Sequence, residues 1–356
     1  MAPARAQYAR GIYPLVLLVL VACPLLLSTS ARSQFVARGG SAINPPAMIP
    51  VAEGMMCAQP EAPGAGTDLA ALLKGTDLPA IRQISDPYPT FSEVAVDPVN
   101  NRVVMTDINR KSVLQYDRTA GGNSAGMTSP QSQIMGPDTL AGFLAGVEVD
   151  PVRREIFAVN NDIEDTMAVF SYDSAGDAKP LRALVVPHQS WGVSLDSKRD
   201  EIGISIQQVN AVFVYRREAS GIESPIRTIQ GAHTGLADPH GIYMDEQHQE
   251  IVVASHGNWR NEFTEDRPQR INAVSYPDVP PGGKFLPPSI AVYPLTANGD
   301  AKPLRVLRGA RLGLNYPMAL DVDLDHDEIF VANNGDNSVL VFPRTGEGDL
   351  APVRVI

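Results

Sequence analysis

Glu93, Asn160, His240 and Asn333 are the side chains best suited to chemistry in this sequence, because they offer the oxygen and nitrogen donors that a divalent cation such as calcium takes. A cation held at such a point would polarise a carbonyl and activate water. A second set, Trp191, His240, His256, Trp259, Arg260, Phe263 and Tyr276, gathers the aromatic and cationic residue types that dominate binding hot spots. A third candidate, Asp321-x-Asp323-x-Asp325-x-Asp327, alternates like a calcium loop. However, His326 stands where such a loop needs glycine, and Ala332 where it needs a bidentate glutamate. It reads as a strand end running into an acidic turn. The chain has no GxSxG, HExxH or phosphate-loop sequence, so serine hydrolase, zinc protease and nucleotide chemistry lack a motif.

These residues are positioned by a repeat. Five alternating apolar stretches each close on an aspartate: Phe91 to Asp97, Leu144 to Asp150, Ser190 to Asp196, Pro239 to Asp245 and Pro317 to Asp323. The aspartate is expected to cap the turn that follows through its own backbone. A second strand follows, as in Glu155 to Asn160 or Glu328 to Asn333. A third comes next, as in Ala211 to Tyr215, and then a fourth, as in Pro225 to Ile229. The closing aspartates are 46 to 53 residues apart, except for a step of 78 between Asp245 and Asp323. Four short strands at that period predict an all-β fold, a β-propeller of four-stranded antiparallel blades. The units span about 89–136, 142–185, 187–230, 237–308 and 316–356. The long step places an insertion over 257–288 between the second and third strands of the fourth unit.

In a propeller the loops entering each first strand share one face with the loops between second and third strands. Aligning the units therefore brings Glu93, Trp191, His240, Asn160, Asn333 and His256 to the mouth of the central channel. Glu93 replaces a residue that three other units keep as glycine (Gly146, Gly192, Gly241), so the fold alone does not account for it. The insertion carries Trp259, Arg260, Phe263 and Tyr276 onto the same face, and long loops in compact domains tend to be functional.

The stretch Ala319-Leu-Asp-Val-Asp323, followed by Glu328-Ile-Phe-Val-Ala-Asn-Asn-Gly-Asp-Asn-Ser-Val-Leu-Val-Phe342, resembles the NHL and YVTN families of propeller repeats. The resemblance covers about residues 79–356 and implies fold more than function, since such propellers serve as enzymes, binding platforms and scaffolds. Gluconolactonase-like propellers are similar at Glu93 and Asn160, which implies a metal-dependent lactonase as the alternative to a binding module.

Residues 1–31 read as an export signal: Arg5 and Arg10 precede the apolar run Leu15 to Leu27, which is shorter than the ~20 residues of a membrane span. The mature chain is expected to be periplasmic or extracellular and to lack a transmembrane span. It would keep only Cys57, so no internal disulfide is expected. Residues 32–75, rich in glycine and proline, read as a flexible linker and 76–356 as the propeller. The net charge of −11 disfavours nucleic acid. Pro79 to Ile84 resembles a fourth strand without a unit of its own, which predicts a sixth, incomplete blade and a chain that is part of a longer protein. The leading functional expectation is a secreted binding or scaffold module for a protein, a glycan or a cell-envelope component.

Overall fold

The computed structural model describes residues 80–122, 127–261 and 283–356. The proposed signal and linker, together with Phe263 and Tyr276, lie outside the described residues. The described chain is an all-β propeller of five four-stranded antiparallel sheets. Blade 1 comprises β1 (Phe91–Asp97), β2 (Arg102–Asp107), β3 (Ser112–Asp117) and β4 (Ser132–Ile134). Blade 2 comprises β5 (Phe143–Asp150), β6 (Glu155–Asp162), β7 (Thr166–Ser171) and β8 (Arg182–Val185). Blade 3 comprises β9 (Ser190–Asp196), β10 (Glu201–Ile206), β11 (Ala211–Arg216) and β12 (Arg227–Ile229). Blade 4 begins with β13 (Pro239–Asp245) and β14 (Glu250–Ser255). A separate hairpin of β15 (Asn258–Asn261) and β16 (Gly283–Leu286) then interrupts it before β17 (Ser289–Pro294) and β18 (Arg305–Leu307). Blade 5 comprises β19 (Pro317–Asp323), β20 (Glu328–Asn333), β21 (Ser338–Pro343) and β22 (Arg354–Val355). Among the described residues no helix is long and apolar enough to cross a membrane.

Each blade is set by one turn. Asp97 Oδ1 accepts from the backbone N–H groups of Val99 and Asn100, and Asp150, Asp196, Asp245 and Asp323 do the same in their own blades. Four residues after each aspartate the chain turns left-handed, at Asn101, Arg154, Asp200, Gln249 and Asp327, and enters the second strand. The side chain takes over backbone hydrogen bonds that the turn leaves open, so one aspartate per repeat fixes where the first hairpin folds.

Inner strands neighbour one another in the order β1, β5, β9, β13, β19. One apolar cluster fills each of the four interfaces so formed; between blades 2 and 3, for example, Phe157, Met167 and Leu184 pack on Val193, Ile202 and Ile204. Isolated bridges add a stitch at each joint, from Ile134 to Gly176, Leu184 to Gly221, Ile229 to Gly299 and Leu307 to Gly348. Glu250 shows how the joints are clasped. It accepts from Arg305 of its own blade at 2.6 and 2.8 Å and from Arg344 of blade 5 at 2.9 Å.

Among the described residues, no apolar cluster or isolated bridge joins blades 5 and 1. Val94 and Val96 of β1 remain 53% and 52% exposed. They line a cavity of about 920 Å³ together with Phe330, Ala332 and Val339 of blade 5 and the inner strands of the other three blades. Residues 80–86 lie along the outer side of blade 1. Gln83 bridges Gly122, Ile84 packs with Leu114 and Tyr116, and Asp86 pairs with Arg110 at 2.9 Å.

Candidate functional site

The four residues expected to share a cation do not share a site. Asn160 is buried, and its amide is fully engaged: Oδ1 accepts from Gly142 N–H at 2.8 Å, while Nδ2 donates to Leu140 O at 2.9 Å and Thr166 Oγ1 at 3.0 Å. Asn333 repeats the device in blade 5, accepting from Asn315 N–H at 2.6 Å and donating to Gly313 O and Asp336 Oδ2, each at 3.1 Å. Each asparagine ties the loop entering the first strand to the turn after the second, so its donors are spent on its own blade. Glu93 lies apart from both, on the channel wall.

Glu93 reaches over blade 2, where its Oε2 accepts from Val147 N–H at 3.0 Å. It shares the channel with Glu148, Ser194, Tyr243 and Asp321, all on inner strands. Burial pushes the Glu93 carboxyl up to about 8, with the charges of Glu148 and Asp321 adding to it. Burial likewise raises Glu148 to about 7, helped by Asp321. Asp321 is shifted upward by desolvation. The rest of its acidic run diverges: Asp323 caps its turn and Asp327 binds Arg344 Nε at 2.5 Å, so no calcium loop forms there.

A second cluster forms around His240. Pairing of Pro239 with Ser255 sets the start of β13 beside the end of β14, and His256 N–H donates to Asp238 O at 2.9 Å. The register brings Asp238, His240 and His256 to one end of the blade. Asp238 holds a left-handed conformation (φ 60°), as does Tyr316 (φ 52°) at the same point before β19. Such backbone is uncommon in residues with a Cβ and points to a locally imposed geometry. The His240 and His256 rings stack at 3.5 Å, only 13° from parallel. Trp191 lies 4.4 Å from His240, and Tyr316 meets His256 edge-on at 5.3 Å. Trp191 Nε1 donates to Gln207 Oε1 at 2.7 Å, which fixes the indole. The neighbouring blade also grips the His240 backbone, whose carbonyl accepts from Ser205 Oγ.

Burial lowers His240 to about 4. It lowers His256 to about 3, with His240 adding to the effect. Both rings are therefore neutral at pH 7. Burial raises Asp238 to about 6 against an opposing hydrogen bond from Gln207. His256 Nε2 and Asp238 Oδ1 are buried without a hydrogen-bond partner. The donor atoms of Asp238, His240 and His256 all lie within 4.8 Å of one another.

Three of the binding residues expected from sequence, Trp191, His240 and His256, thus meet in one stack. Trp259 and Arg260 lie on β15, which starts two residues after His256 and pairs with β16. Phe285 of β16 is 44% exposed and Tyr316 48%. Sequence reasoning passed over Asp238, Tyr316 and Glu148. The available signal was positional: Asp238 and Tyr316 each precede a proline that opens a first strand, and Glu148 lies two residues before its blade's aspartate.

No family model matches this sequence, and no curated protein matches it. Among solved structures, a functionally unknown protein from Desulfotomaculum acetoxidans DSM 771 is similar, with a TM-score of 0.49 at 16% identity over 77% of this chain and 72% of that chain.

Proposed function

We propose that this chain is an exported binding propeller of the NHL/YVTN kind that recognises a glycan of the cell envelope at its channel mouth. The observation that carries the reading is the stack of Trp191, His240, His256 and Tyr316 beside the β15–β16 hairpin. The rings of the half-exposed Tyr316 and the part-exposed Trp191 suit the carbon–hydrogen face of a sugar, with the buried imidazoles packed between them. The ionised Asp238 carboxylate and the net charge of −11 favour a neutral or cationic saccharide over an anionic one. The segment Leu15 to Leu27 supports export.

The test is calorimetric titration with a panel of soluble envelope oligosaccharides, using wild type, Tyr316→Asn and Trp191→Ala. Asparagine tolerates the left-handed backbone at 316, so that variant isolates the ring. Loss of a central aromatic contact is expected to weaken binding at least about tenfold. No saccharide binding by wild type, or binding indifferent to both substitutions, refutes the reading; capture of a peptide ligand by the same face would move it to protein recognition.

A hydrolase reading has one favouring observation, the shared placement of Glu93, Glu148 and Asp321 in the channel, since carboxyls pushed toward neutrality are suited to proton transfer. It requires lactone hydrolysis that Glu93→Gln abolishes.

A further inference from the structure

The structure assigns one divalent late first-row transition-metal site to Asp238, His240 and His256; the inference rests on reading the channel mouth as the working face. Four observations carry it. The first is convergence: two imidazoles and one carboxylate place their donor atoms within 4.8 Å of one another, the only such group of three among the described residues. The second is an unmet need. His256 Nε2 is buried with no hydrogen-bond partner, its side chain only 9% exposed, and Asp238 Oδ1 has no hydrogen bond, only His240 Nδ1 at 3.4 Å. A buried polar atom left unpaired costs about 1–3 kcal/mol and calls for an explanation, of which a bound ion is one.

The third is contrast with the other histidines. The chain has six. His188, His233, His248 and His326 are each more exposed and have an aspartate at 2.6–3.0 Å, with a second, Asp162, 3.7 Å from His188. Only His240 and His256 share a single aspartate, at 3.4 and 3.9 Å. The fourth is support behind the donors. His256 N–H donates to the Asp238 carbonyl, Ser205 holds the His240 carbonyl, and the β13–β14 pairing sets the spacing. Groups that orient ligands in this way commonly raise metal affinity by about 10–100-fold.

The donor set selects the ion. Two neutral imidazoles with one carboxylate suit zinc, iron(II), cobalt or nickel; calcium and magnesium take mainly oxygen ligands. Three protein donors leave a tetrahedral ion one position, open to water or to a hydroxyl of a bound saccharide. The near-parallel rings must fan apart on binding, because a metal lies in the plane of each imidazole it bonds. Trp191, 4.4 Å from His240, is placed to report that movement through its fluorescence.

The experiment uses the full chain, stripped with a chelator and titrated with zinc by calorimetry and with cobalt by visible absorption and tryptophan quenching. Wild type is expected to take about one equivalent and to melt higher with zinc. Asp238→Asn, which keeps the side-chain shape, and His256→Ala are each expected to weaken zinc at least tenfold. His248→Ala and His326→Ala are expected to bind as wild type does. Absence of a stoichiometric site in wild type, or a site that survives Asp238→Asn and His256→Ala, overturns the assignment. So does a site lost with His326→Ala. Running the saccharide titration with and without chelator separates the two readings: zinc binding without any sugar binding refutes the glycan reading alone, and chelator-resistant sugar binding by a protein that takes no zinc refutes the metal site alone.

Discussion

The clasp between neighbouring blades gives a quantitative test of how the ring is held. Arg305 and Arg354 occupy the same place in the repeat, on the fourth strand, and each makes a two-pronged bond to the glutamate opening its blade's second strand. Their surroundings differ. The Arg305 and Glu250 side chains are 13% and 11% exposed, and Arg305 also donates to the Arg344 carbonyl of blade 5 at 2.9 Å. Arg354 is 46% exposed, and among the described residues no second arginine joins its pair with Glu328. Replacing Arg305 by Met keeps much of the volume but leaves the Glu250 carboxylate with Arg344 alone. Losing bonds to a largely buried charge costs about 2 kcal/mol net of what Arg344 retains. For a domain of this size that lowers Tm by roughly 4–8 °C. Arg354→Met is expected to leave Tm within experimental error, because solvent screens an exposed pair. Thermal melts at pH 7, checked by denaturant midpoints, decide it. The bond from Arg305 holds the Glu250 carboxyl below its usual range. The advantage of wild type over Arg305→Met is therefore present at neutral pH and disappears as pH falls below about 4.5 through the lowered value. Equal losses in the two variants, or a loss in Arg305→Met that does not shrink as pH falls below about 4.5, would refute the argument.

Two further outcomes follow from the channel and its rim. Glu93 is raised from 4.5 to about 8, so its neutral form favours the fold and wild type loses stability as pH rises from about 4.5 through 8; Glu93→Gln should raise Tm at pH 9 and leave it unchanged at pH 4. A Tm–pH profile that is the same for both proteins rules this out. Gly192→Ala would drive a methyl group into the His240 carbonyl of the next blade, costing about 1–3 kcal/mol, whereas Gly122→Ala meets nothing within 4 Å; melts of the two should differ by several degrees.

The blades were legible because one sequence device recurs five times: an alternating strand, an aspartate, then a turn. The aspartate acts on backbone groups two and three residues away, so its effect is local and survives translation from sequence to structure. The stack at the mouth was partly legible for a similar reason. Trp191 and His240 occupy one repeat column and His256 another on the same face, so the alignment alone placed them together. Asn160 and Asn333 show where this reasoning stops. Their type and place suit a metal ligand, yet a buried amide with one acceptor and two donors is equally suited to tying two loops. What decides is whether backbone groups converge on it, and those groups, such as Gly142 N–H and Leu140 O, lie 18 and 20 residues away. Asp238 was hidden because its role depends on a left-handed backbone and on the register of β13 against β14.

The glycine column explains why the chemistry divides between two places. In blades 2, 3 and 4 a Cβ at Gly146, Gly192 or Gly241 would collide with the backbone of the following inner strand, at Trp191, His240 and Leu320 respectively. These positions are closed to any side chain by the approach of the blades, whatever the protein does. Functional groups must then stand one residue before the glycine or two residues after it. Those before it are Trp191 and His240, which emerge at the mouth; those after it are Glu148, Ser194 and Tyr243, which line the channel. Blade 1 carries Glu93 in this column, and its carboxylate lies over Gly146, 3.0 Å from where a Cβ would sit. Glu93 therefore joins the channel carboxylates and not the histidine cluster. A substitution that enlarges residue 146 should press on both the Glu93 carboxylate and the Trp191 carbonyl, and so disturb the channel wall and the stack on His240 together.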